Sequence, residues 1–177
     1  MKVVVIGSNS FSGSNFINYL LKKDYEVLAI SRSEETSEVF LPYKWSKENS
    51  SNLSFIQLDL NKNLEDITKK IKAFRPPFIV NFAAQGMVAE SWKKPEDWYQ
   101  TNLVSQVKLH DSLRNFDFIE NFINFSTPEV YGNTKRWIKE SYLFSPNTPY
   151  ASSRAACDLH LMTFFRNYNF PVTFTRA

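Results

Sequence analysis

A tyrosine and an arginine four residues apart stand near the start of a predicted helix, in the stretch TPYASSR. Tyr150 and Arg154 would then lie on one face of that helix, because residues four apart are neighbours on a helix surface. A cation beside a phenol favours the phenolate, and a phenolate can act as a general base. A surface tyrosine and arginine would show the same spacing, so the pair alone does not identify a site.

A second candidate is the stretch INFSTPEVYG, which begins as an apolar run and then presents a hydroxyl, a proline and a carboxylate. Thr127 and Glu129 fall just beyond the expected end of a strand. Strands commonly end at proline with a solvated charge beyond it. Glu129 is therefore either a functional carboxylate or a surface charge, and the rest of the chain must decide.

Two of the four glycines bracket the turn after the first predicted strand, in GSNSFSG. Gly7 and Gly13 suit a tight strand-to-helix turn whose amides point outward at the positive helix end, which is a pyrophosphate site. A full fingerprint has a further glycine where Ser10 stands, so the motif has moderate specificity. Because the turn follows a strand and opens a helix, we predict that it binds a dinucleotide through these residues together with Asn9 and Phe11.

The end of the second predicted strand carries Ser31 and Arg32. An acidic residue at position 31 would hold the ribose of NAD. A hydroxyl and a guanidinium suit the 2′-phosphate of NADP better than a free 2′-hydroxyl. We therefore predict NADP with NAD as the alternative, although a solvated loop arginine explains the pattern about as well.

Short apolar runs alternate with longer amphipathic segments, which is the pattern of strand-helix units on a parallel sheet. We predict strands at Lys2–Ile6, Glu26–Ser31, Phe55–Leu60, Phe78–Ala83, Phe122–Ser126 and Val172–Thr175. We predict helices at about Gly13–Lys23, Leu64–Phe74, Trp92–Phe116 and Tyr150–Tyr168. The segment Glu34–Ser54, rich in Ser, Glu and Lys, is interpreted as a surface excursion. The expected fold is one α/β domain over residues 1–177, a doubly wound, Rossmann-like parallel sheet.

Composition narrows the classes of function. The 177 residues are 43% hydrophobic and carry a net charge of +3, which suits one sizeable core and shows no basic run for nucleic acid. The single cysteine, Cys157, and the distant His110 and His160 predict neither an internal disulfide nor a metal site. No leader and no long apolar run is visible, so we expect a cytoplasmic protein that binds no membrane.

These stretches together resemble the extended short-chain dehydrogenase/reductase family, and within it the NAD(P)-dependent nucleotide-sugar epimerases and dehydratases. The likeness runs through the glycine turn, Asp59-Leu60, Asn81-Phe82-Ala83-Ala84, Thr101-Asn102, STPEVYG and the Tyr150 helix. Beside the residues already named, the resemblance places against the cofactor Asp59, Leu60, Ala83, Ala84, Asn102, Tyr150 and Arg154.

The resemblance also implies catalytic roles. Tyr150 would be the base, and Thr127 would hydrogen-bond the sugar hydroxyl. Arg154 occupies the place of the family's lysine; an arginine is larger, planar and always protonated, so it can support a phenolate only with a different geometry. In the dTDP-glucose and GDP-mannose 4,6-dehydratases that the chain resembles, a glutamate takes the sugar C5 proton and a neighbouring acid protonates the departing C6 hydroxyl. Glu129 matches the glutamate, whereas Pro128 replaces the acid.

The expected function is therefore that of a 4,6-dehydratase-like lyase of carbohydrate biosynthesis, which oxidises a nucleotide-sugar C4 with bound NAD(P). An epimerase or decarboxylase that uses the same ketone is one alternative, and a non-catalytic NAD(P)-binding module is another. Members of the family continue into a smaller sugar-binding domain, so we expect a chain truncated before that domain and inactive alone. The two long predicted helices are expected to form a homodimer.

Overall fold

The computed structural model describes residues 1–45 and 50–176, which fold around a six-stranded sheet. The strands are β1 (Lys2–Ile6), β2 (Glu26–Ser31), β3 (Leu53–Gln57), β4 (Phe78–Asn81), β5 (Asn121–Ser126) and β6 (Val172–Arg176). Their spatial order is β3-β2-β1-β4-β5-β6, and every neighbouring pair is parallel. The order reverses between β1 and β4, and ligands bind at such reversals in open α/β sheets. The predicted doubly wound, Rossmann-like fold is confirmed.

The described residues form five α-helices: α1 (Phe11–Leu21), α2 (Leu64–Phe74), α3 (Pro95–Tyr99), α4 (Ser105–Leu113) and α5 (Pro149–Tyr168). A π-helical turn, Gln100–Val104, joins α3 to α4. The single helix predicted from Trp92 to Phe116 is therefore wrong in its bounds. Trp92 belongs to a separate 3-10 turn, and Pro95 begins the next helix because proline suits the first helical position.

Alternate side chains of the strands point to two different cores. On β1, Val4 and Ile6 pack with residues of α2, α4 and α5, whereas Val3 and Val5 pack with residues of α1. Because both faces are covered, the strand reads as a continuous apolar run rather than an alternating one. The sheet is thus a rigid middle layer whose carboxyl edge carries the loops.

Polar side chains end two strands earlier than the apolar pattern predicts. After β4, the amide of Ala83 bonds to the Asn81 side chain at 3.1 Å and leaves the sheet ladder. After β3, the amide of Asp59 bonds to Asn63 Oδ1 at 3.1 Å, and Asp59 Oδ1 accepts from the amide of Asn61 at 2.8 Å. The strand predicted to reach Leu60 therefore ends at Gln57, and that predicted to reach Ala83 ends at Asn81.

The segment predicted as a surface excursion partly belongs to the core. Leu41 and Tyr43 are 0% and 4% exposed and pack beside α1. The Tyr43 hydroxyl donates to Glu35 at 2.8 Å, and Lys44 pairs with the same carboxylate at 2.6 Å. Residues 46–49 of the predicted excursion lie outside the described residues. The polar composition of this segment did not indicate that Leu41 and Tyr43 are buried.

His110 is a buried histidine that should make the fold sensitive to acid. Its ring lies 5.0 Å from the Phe122 ring and stacks on His160 at 5.5 Å, and neither nitrogen has a partner in the described part of the chain. Burial, and then the nearby His160, hold the pKa of His110 well below its ordinary value. As pH falls, His110 is therefore protonated in the unfolded chain before it is protonated in the folded chain.

Stability should consequently fall below the ordinary histidine pKa, by up to about 1.4 kcal/mol per pH unit from His110. His110→Leu should flatten this loss, which urea titrations at a series of pH values would measure. Burial also lowers the pKa of His160, but Asp111 opposes that shift. His160→Leu should therefore flatten the acid loss less. Equal acid sensitivity in the parent and His110→Leu would contradict the assignment.

Candidate active site

A cleft of about 260 Å³ opens at the carboxyl edge of β1, β2 and β4. Of the predicted cofactor-binding residues, it is lined by Gly7, Asn9, Ser10, Ser31, Arg32, Asp59, Leu60, Ala83 and Ala84. Thr101 also lines the cleft, although only its neighbour Asn102 was predicted to contact the cofactor. The cleft lies where the strand order reverses, which is the expected ligand position in this fold.

The glycine turn depends on the absence of side chains at two positions. Gly7 has φ +83°, and a Cβ there would lie 2.6 Å from the Ala83 backbone nitrogen. A Cβ on Gly13 would collide with the carbonyl oxygen of Gly7. Ser10, which stands where the full fingerprint has glycine, donates to the Gly7 oxygen at 2.7 Å and accepts from the Gly13 amide at 3.0 Å. Its hydroxyl is therefore used to cap α1, and the turn closes without a third glycine.

Two polar atoms of this turn fit a bound dinucleotide. Ser8 Oγ and Asn9 Oδ1 are buried without a hydrogen-bond partner among the described residues. The Asn9 Nδ2 donates instead to the carbonyl oxygens of Ser33 and Glu34, at 3.1 and 2.7 Å, and so ties the turn to the end of β2. Unpaired buried polar groups are rare, and these lie at the positive end of α1, where phosphate binds. Ser8 was missed, although a hydroxyl within a glycine turn is a sequence signal for such a site.

Arg32 extends from β2 across to the loop after β4. Its Nη1 donates to Gln85 Oε1 at 3.1 Å, and its backbone oxygen accepts from Gln57 at 3.3 Å. Ser31 beside it is 8% exposed. Arg32 is exposed and lines the cleft, so a ligand there has access to the guanidinium in competition with Gln85.

Five residues predicted to contact the cofactor do not line the cleft: Phe11, Gly13, Asn102, Tyr150 and Arg154. Phe11 is 85% exposed, because the first residue of α1 points away from the turn. Asn102 is fully buried in the π-helical turn, where it accepts from the Gln85 amide at 2.7 Å and donates to Ser153 Oγ at 3.0 Å. Ser153 in turn donates to the Tyr150 carbonyl at 2.7 Å. Asn102 thus links the cleft wall to the start of α5 from behind.

Tyr150, the predicted catalytic base, and Arg154 both lie on α5, beside the cleft rather than in its lining. Thr148 caps α5 by accepting from the Ala151 amide at 3.0 Å. Tyr150 is partly exposed, and its hydroxyl has no hydrogen-bond partner among the residues that the structure describes. Arg154 is 2% exposed and donates through Nη2 to the carbonyl oxygen of Phe125 at the end of β5. Its guanidinium therefore faces the sheet edge, where the Nε and Nη1 atoms are without described partners.

The Glu129 turn lies against α5. Pro128–Tyr131 forms a single 3-10 turn that packs on that helix. Thr127 is 5% exposed and caps the turn, accepting from the Glu129 amide at 3.3 Å. The Glu129 carboxylate is partly exposed and has no partner in the described part of the chain. The fold therefore brings the Thr127 and Glu129 turn beside the helix of Tyr150 and Arg154.

A buried charge below Tyr150 was not anticipated. Asp158 is 1% exposed, one helical turn beyond Arg154. Burial raises the pKa of Asp158, while the Ser126 hydrogen bond and the charges of Arg176 and Arg154 act in the opposite direction. The spacing of four residues from Arg154 was the available sequence signal. By contrast, burial raises the pKa of the neighbouring Cys157 to about 12, so this thiol is unreactive.

Residues 1–45 and 50–176 contain neither a membrane-spanning helix nor a metal-binding cluster. No helix there combines the length and apolar character needed to cross a bilayer. No group of three or more His, Cys, Asp or Glu side chains there is arranged to hold a metal ion.

Several known proteins are similar to this chain. A family model described as GDP-mannose 4,6 dehydratase matches residues 4–177. The dTDP-glucose 4,6-dehydratase of Xanthomonas campestris is 27% identical over 185 residues, with 98% of this chain and 52% of that protein covered. Protein CapI of Staphylococcus aureus is 27% identical over 176 residues, with the same two coverages of 98% and 52%. The chain thus spans about half the length of these curated relatives.

Solved structures give the same picture. The UDP-glucuronic acid 4-epimerase of Bacillus cereus, in complex with UDP-glucuronic acid and NAD, has a TM-score of 0.85 and 25% identity, covering 99% of this chain and 56% of its own. DesIV, a dTDP-glucose 4,6-dehydratase of Streptomyces venezuelae with NAD bound, has a TM-score of 0.85 and 26% identity, with 99% and 55% covered. The family model covers nearly the whole chain, and the chain belongs to the GDP-mannose 4,6 dehydratase family, among the extended short-chain dehydrogenase/reductase enzymes that epimerise or dehydrate nucleotide sugars.

Proposed function

We propose that this chain provides the cofactor-binding site and the catalytic base of a nucleotide-sugar 4,6-dehydratase-like enzyme. The observation that carries the proposal is the position of the Tyr150 helix and the Glu129 turn, which pack together at the sheet edge that also holds the dinucleotide cleft. One sheet edge thus offers a cofactor site, a phenol and a carboxylate. These are the groups needed to oxidise a sugar hydroxyl and then remove the neighbouring acidic proton.

The proposed cofactor is NADP, with NAD as the alternative, in the cleft between β2 and β4. A bound nicotinamide would supply the reversible hydride chemistry needed at the sugar C4, which no side chain supplies. The glycine turn and Ser8 would hold the pyrophosphate, and Ser31 with Arg32 would hold the adenosine ribose. Asp59 and Leu60 would contact adenine at the same end of the cleft.

Tyr150 is proposed to take the proton of the sugar C4 hydroxyl. Arg154 holds a fixed positive charge one helical turn away, which stabilises a phenolate through space rather than as a ligand of the cofactor ribose. Thr127 would hydrogen-bond the same sugar hydroxyl. The side chains of this chain therefore bind and deprotonate the alcohol at one position.

Glu129 is proposed to take the C5 proton beside the new C4 ketone. The C6 hydroxyl then leaves as water and needs a proton, which Pro128 cannot give because it has no acidic group. The proton returns from Glu129 itself, from Thr127 or from water. The C5 proton and the C6 hydroxyl together balance the water that is lost.

The absence of an acid at Pro128 is the specific observation that favours a second candidate, a nucleotide-sugar epimerase. Epimerisation at C4 needs no proton for a leaving group, and the similar Bacillus cereus structure is that of a 4-epimerase. A decarboxylase of the same family and a non-catalytic NAD(P)-binding module are the remaining alternatives. Mass spectrometry of dTDP-glucose, UDP-glucose, GDP-mannose and UDP-glucuronic acid after incubation with the full-length protein separates them. Loss of water indicates a dehydratase, and loss of carbon dioxide indicates a decarboxylase. An isomer of unchanged mass with a different NMR spectrum indicates an epimerase, and unaltered substrate indicates the non-catalytic module.

We also propose a domain organisation and a homodimer for the whole enzyme. Residues 1–177 would form one dinucleotide-binding domain, to which a smaller sugar-binding domain is added in the whole enzyme. A homodimer would form through the helices around the site, which expose Tyr99, Val104, Leu159 and Phe165. Apolar side chains at 36 to 51% exposure suit a helix-to-helix interface better than free solvent.

Arg32→Asp is expected to reverse the choice of cofactor. If Arg32 meets the 2′-phosphate, the charge-assisted contact contributes about 1.5 to 3 kcal/mol, so NADP should bind at least about tenfold more tightly than NAD. An aspartate at this position repels the phosphate and accepts from the free ribose hydroxyls of NAD. Calorimetry with each dinucleotide measures both affinities.

Gln85→Ala is the matched control, because it frees the Arg32 guanidinium without altering it. This variant should bind NADP as tightly as the parent or more so. Equal affinities for the two dinucleotides, unchanged in Arg32→Asp, would show that Arg32 is a solvated loop residue.

A further inference from the structure

Arg176 lies in a cage of three aromatic rings. Its guanidinium carbon is 5.5 Å from the ring centre of Tyr131, 5.4 Å from Phe144 and 5.6 Å from Phe174. Its side chain is 10% exposed. A planar guanidinium can stack on rings while its edge still donates hydrogen bonds, which an ammonium group cannot do. The rings come from β6, from the Glu129 turn and from the segment that precedes α5.

The edge of the same guanidinium reaches the helix that carries Tyr150. Arg176 Nη2 lies 3.1 Å from Asp158 Oδ2, and Ser126 Oγ donates to that oxygen at 2.6 Å. Asn124 donates to the other carboxylate oxygen at 3.0 Å. A buried carboxylate with this many partners is fixed in place. Arg176 is thereby joined to α5 two helical turns below Tyr150.

The Glu129 turn is held from its other side by the segment 141–145. Tyr131, the last residue of the turn, bonds through its hydroxyl to the backbone of Ser141 at 3.2 and 3.3 Å. The Ser145 amide donates to the Val130 oxygen at 2.9 Å. Gly132 has φ +70°, and a Cβ there would collide with the Ser145 oxygen. The turn is thus enclosed between this segment and Arg176.

We propose that Arg176 is a positioning residue, which holds the Glu129 turn at a fixed place relative to the Tyr150 helix. The inference rests on the proposed function, since it assigns importance to the distance between those two side chains. Arg176 does not line the dinucleotide cleft and touches no group that we place in the reaction. It acts through the Tyr131 ring on one side and through Asp158 on the other.

The first test is kinetic and uses the full-length protein with the nucleotide sugar that it turns over. Arg176→Met keeps the length of the side chain but loses the charge and the planar fork, and kcat should fall about a hundredfold, as expected for a catalytic group displaced by about 1 Å. KM and the affinity for the dinucleotide should stay within about threefold, because their contacts lie elsewhere. Arg176→Lys keeps the charge opposite Asp158 without the three-ring stack, so its kcat should lie between the two. A kcat for Arg176→Met within about twofold of the parent overturns the proposal.

The matched control is Arg114, another arginine that pairs with a carboxylate and stacks on a ring. It lies 2.8 Å from Asp111 and 4.4 Å from the Tyr168 ring centre, just past the end of α4. Arg114→Met removes the same kinds of interaction and should leave kcat within about twofold. An equal loss of kcat in both methionine variants would show a general loss of stability and overturn the proposal.

The second test needs no turnover and therefore separates this inference from the proposed function. Hydrogen exchange at the Gly132 and Ser145 amides reports whether the Glu129 turn remains in place, since these amides donate to Glu129 and Val130. Exchange should rise about tenfold or more in Arg176→Met, less in Arg176→Lys, and not in Arg114→Met. If no nucleotide sugar is turned over, the proposed function fails, yet this pattern still supports the positioning of the turn. Unchanged exchange, or an equal rise in Arg114→Met, overturns it.

Discussion

Tyr150→Phe is expected to abolish hydride transfer in the full-length protein while leaving the affinity for NAD(P) unchanged. The phenol is the group that we propose takes the C4 hydroxyl proton, and a lost general base costs about 10² to 10⁴ in rate. Phenylalanine keeps the ring and the start of α5, including the Thr148 cap. Tyr150 does not line the dinucleotide cleft, so the two effects should separate. Reduced-nicotinamide absorbance in a single turnover measures the first, and calorimetry the second.

Tyr19→Phe serves as the control for this change. Tyr19 is 56% exposed on α1, on the opposite side of the sheet from α5. Its loss of a hydroxyl should alter neither rate nor affinity. Normal hydride transfer in Tyr150→Phe would mean that the base is another residue, and the role given to Arg154 would be withdrawn with it.

Local sequence patterns were sufficient to predict the sheet and the cleft. The run VVVI before Gly7 suits a strand covered on both faces, and Gly7 permits a turn at φ +83°, where a side chain would be strained and would collide with the Ala83 backbone. Because the carboxyl ends of parallel strands share one edge, placing Ser31 and Ala83 at strand ends placed them together. The groups that form the cleft are thus close to the ends of elements whose type the sequence states clearly.

The direction of individual side chains was not predictable in this way. Arg154 shares a helix face with Tyr150, as its spacing requires, but its length lets it turn back to the Phe125 carbonyl. Asn102 was predicted to contact the cofactor. It lies instead in a π-helical turn, where its side chain is buried behind the cleft and bonds to the Gln85 amide. Propensity describes straight helices, and such a turn arises from tertiary contacts.

Long-range contacts account for what the sequence analysis missed. The role proposed for Arg176 depends on its contacts with Asp158 and Tyr131, which lie 18 and 45 positions earlier in the sequence. Leu41 and Tyr43 are buried because α1 lies beside them, although their own neighbours are polar. The sequence pattern around Arg176, or around Leu41 and Tyr43, has no periodicity that predicts these contacts.

Glu129→Gln is expected to keep reduction of the bound cofactor and lose exchange of the sugar C5 proton with solvent deuterium. The amide has the shape of the carboxylate but cannot accept the proton, and the loss should be about 10² to 10⁴ in exchange rate. The Thr127 cap uses the Glu129 backbone amide and not its side chain, so the turn should survive the change. The C4 ketone forms before this step, which is why cofactor reduction should be spared.

Proton exchange at C5 is measured by mass spectrometry or NMR of the nucleotide sugar recovered from heavy water. Glu140→Gln is the matched control, since Glu140 is an exposed acid in the next segment of chain. It should exchange C5 at the rate of the parent. If Glu129→Gln also exchanges at that rate, Glu129 is a surface charge at a strand end, and the dehydratase proposal gives way to C4 epimerisation, which needs Tyr150 but no base at C5.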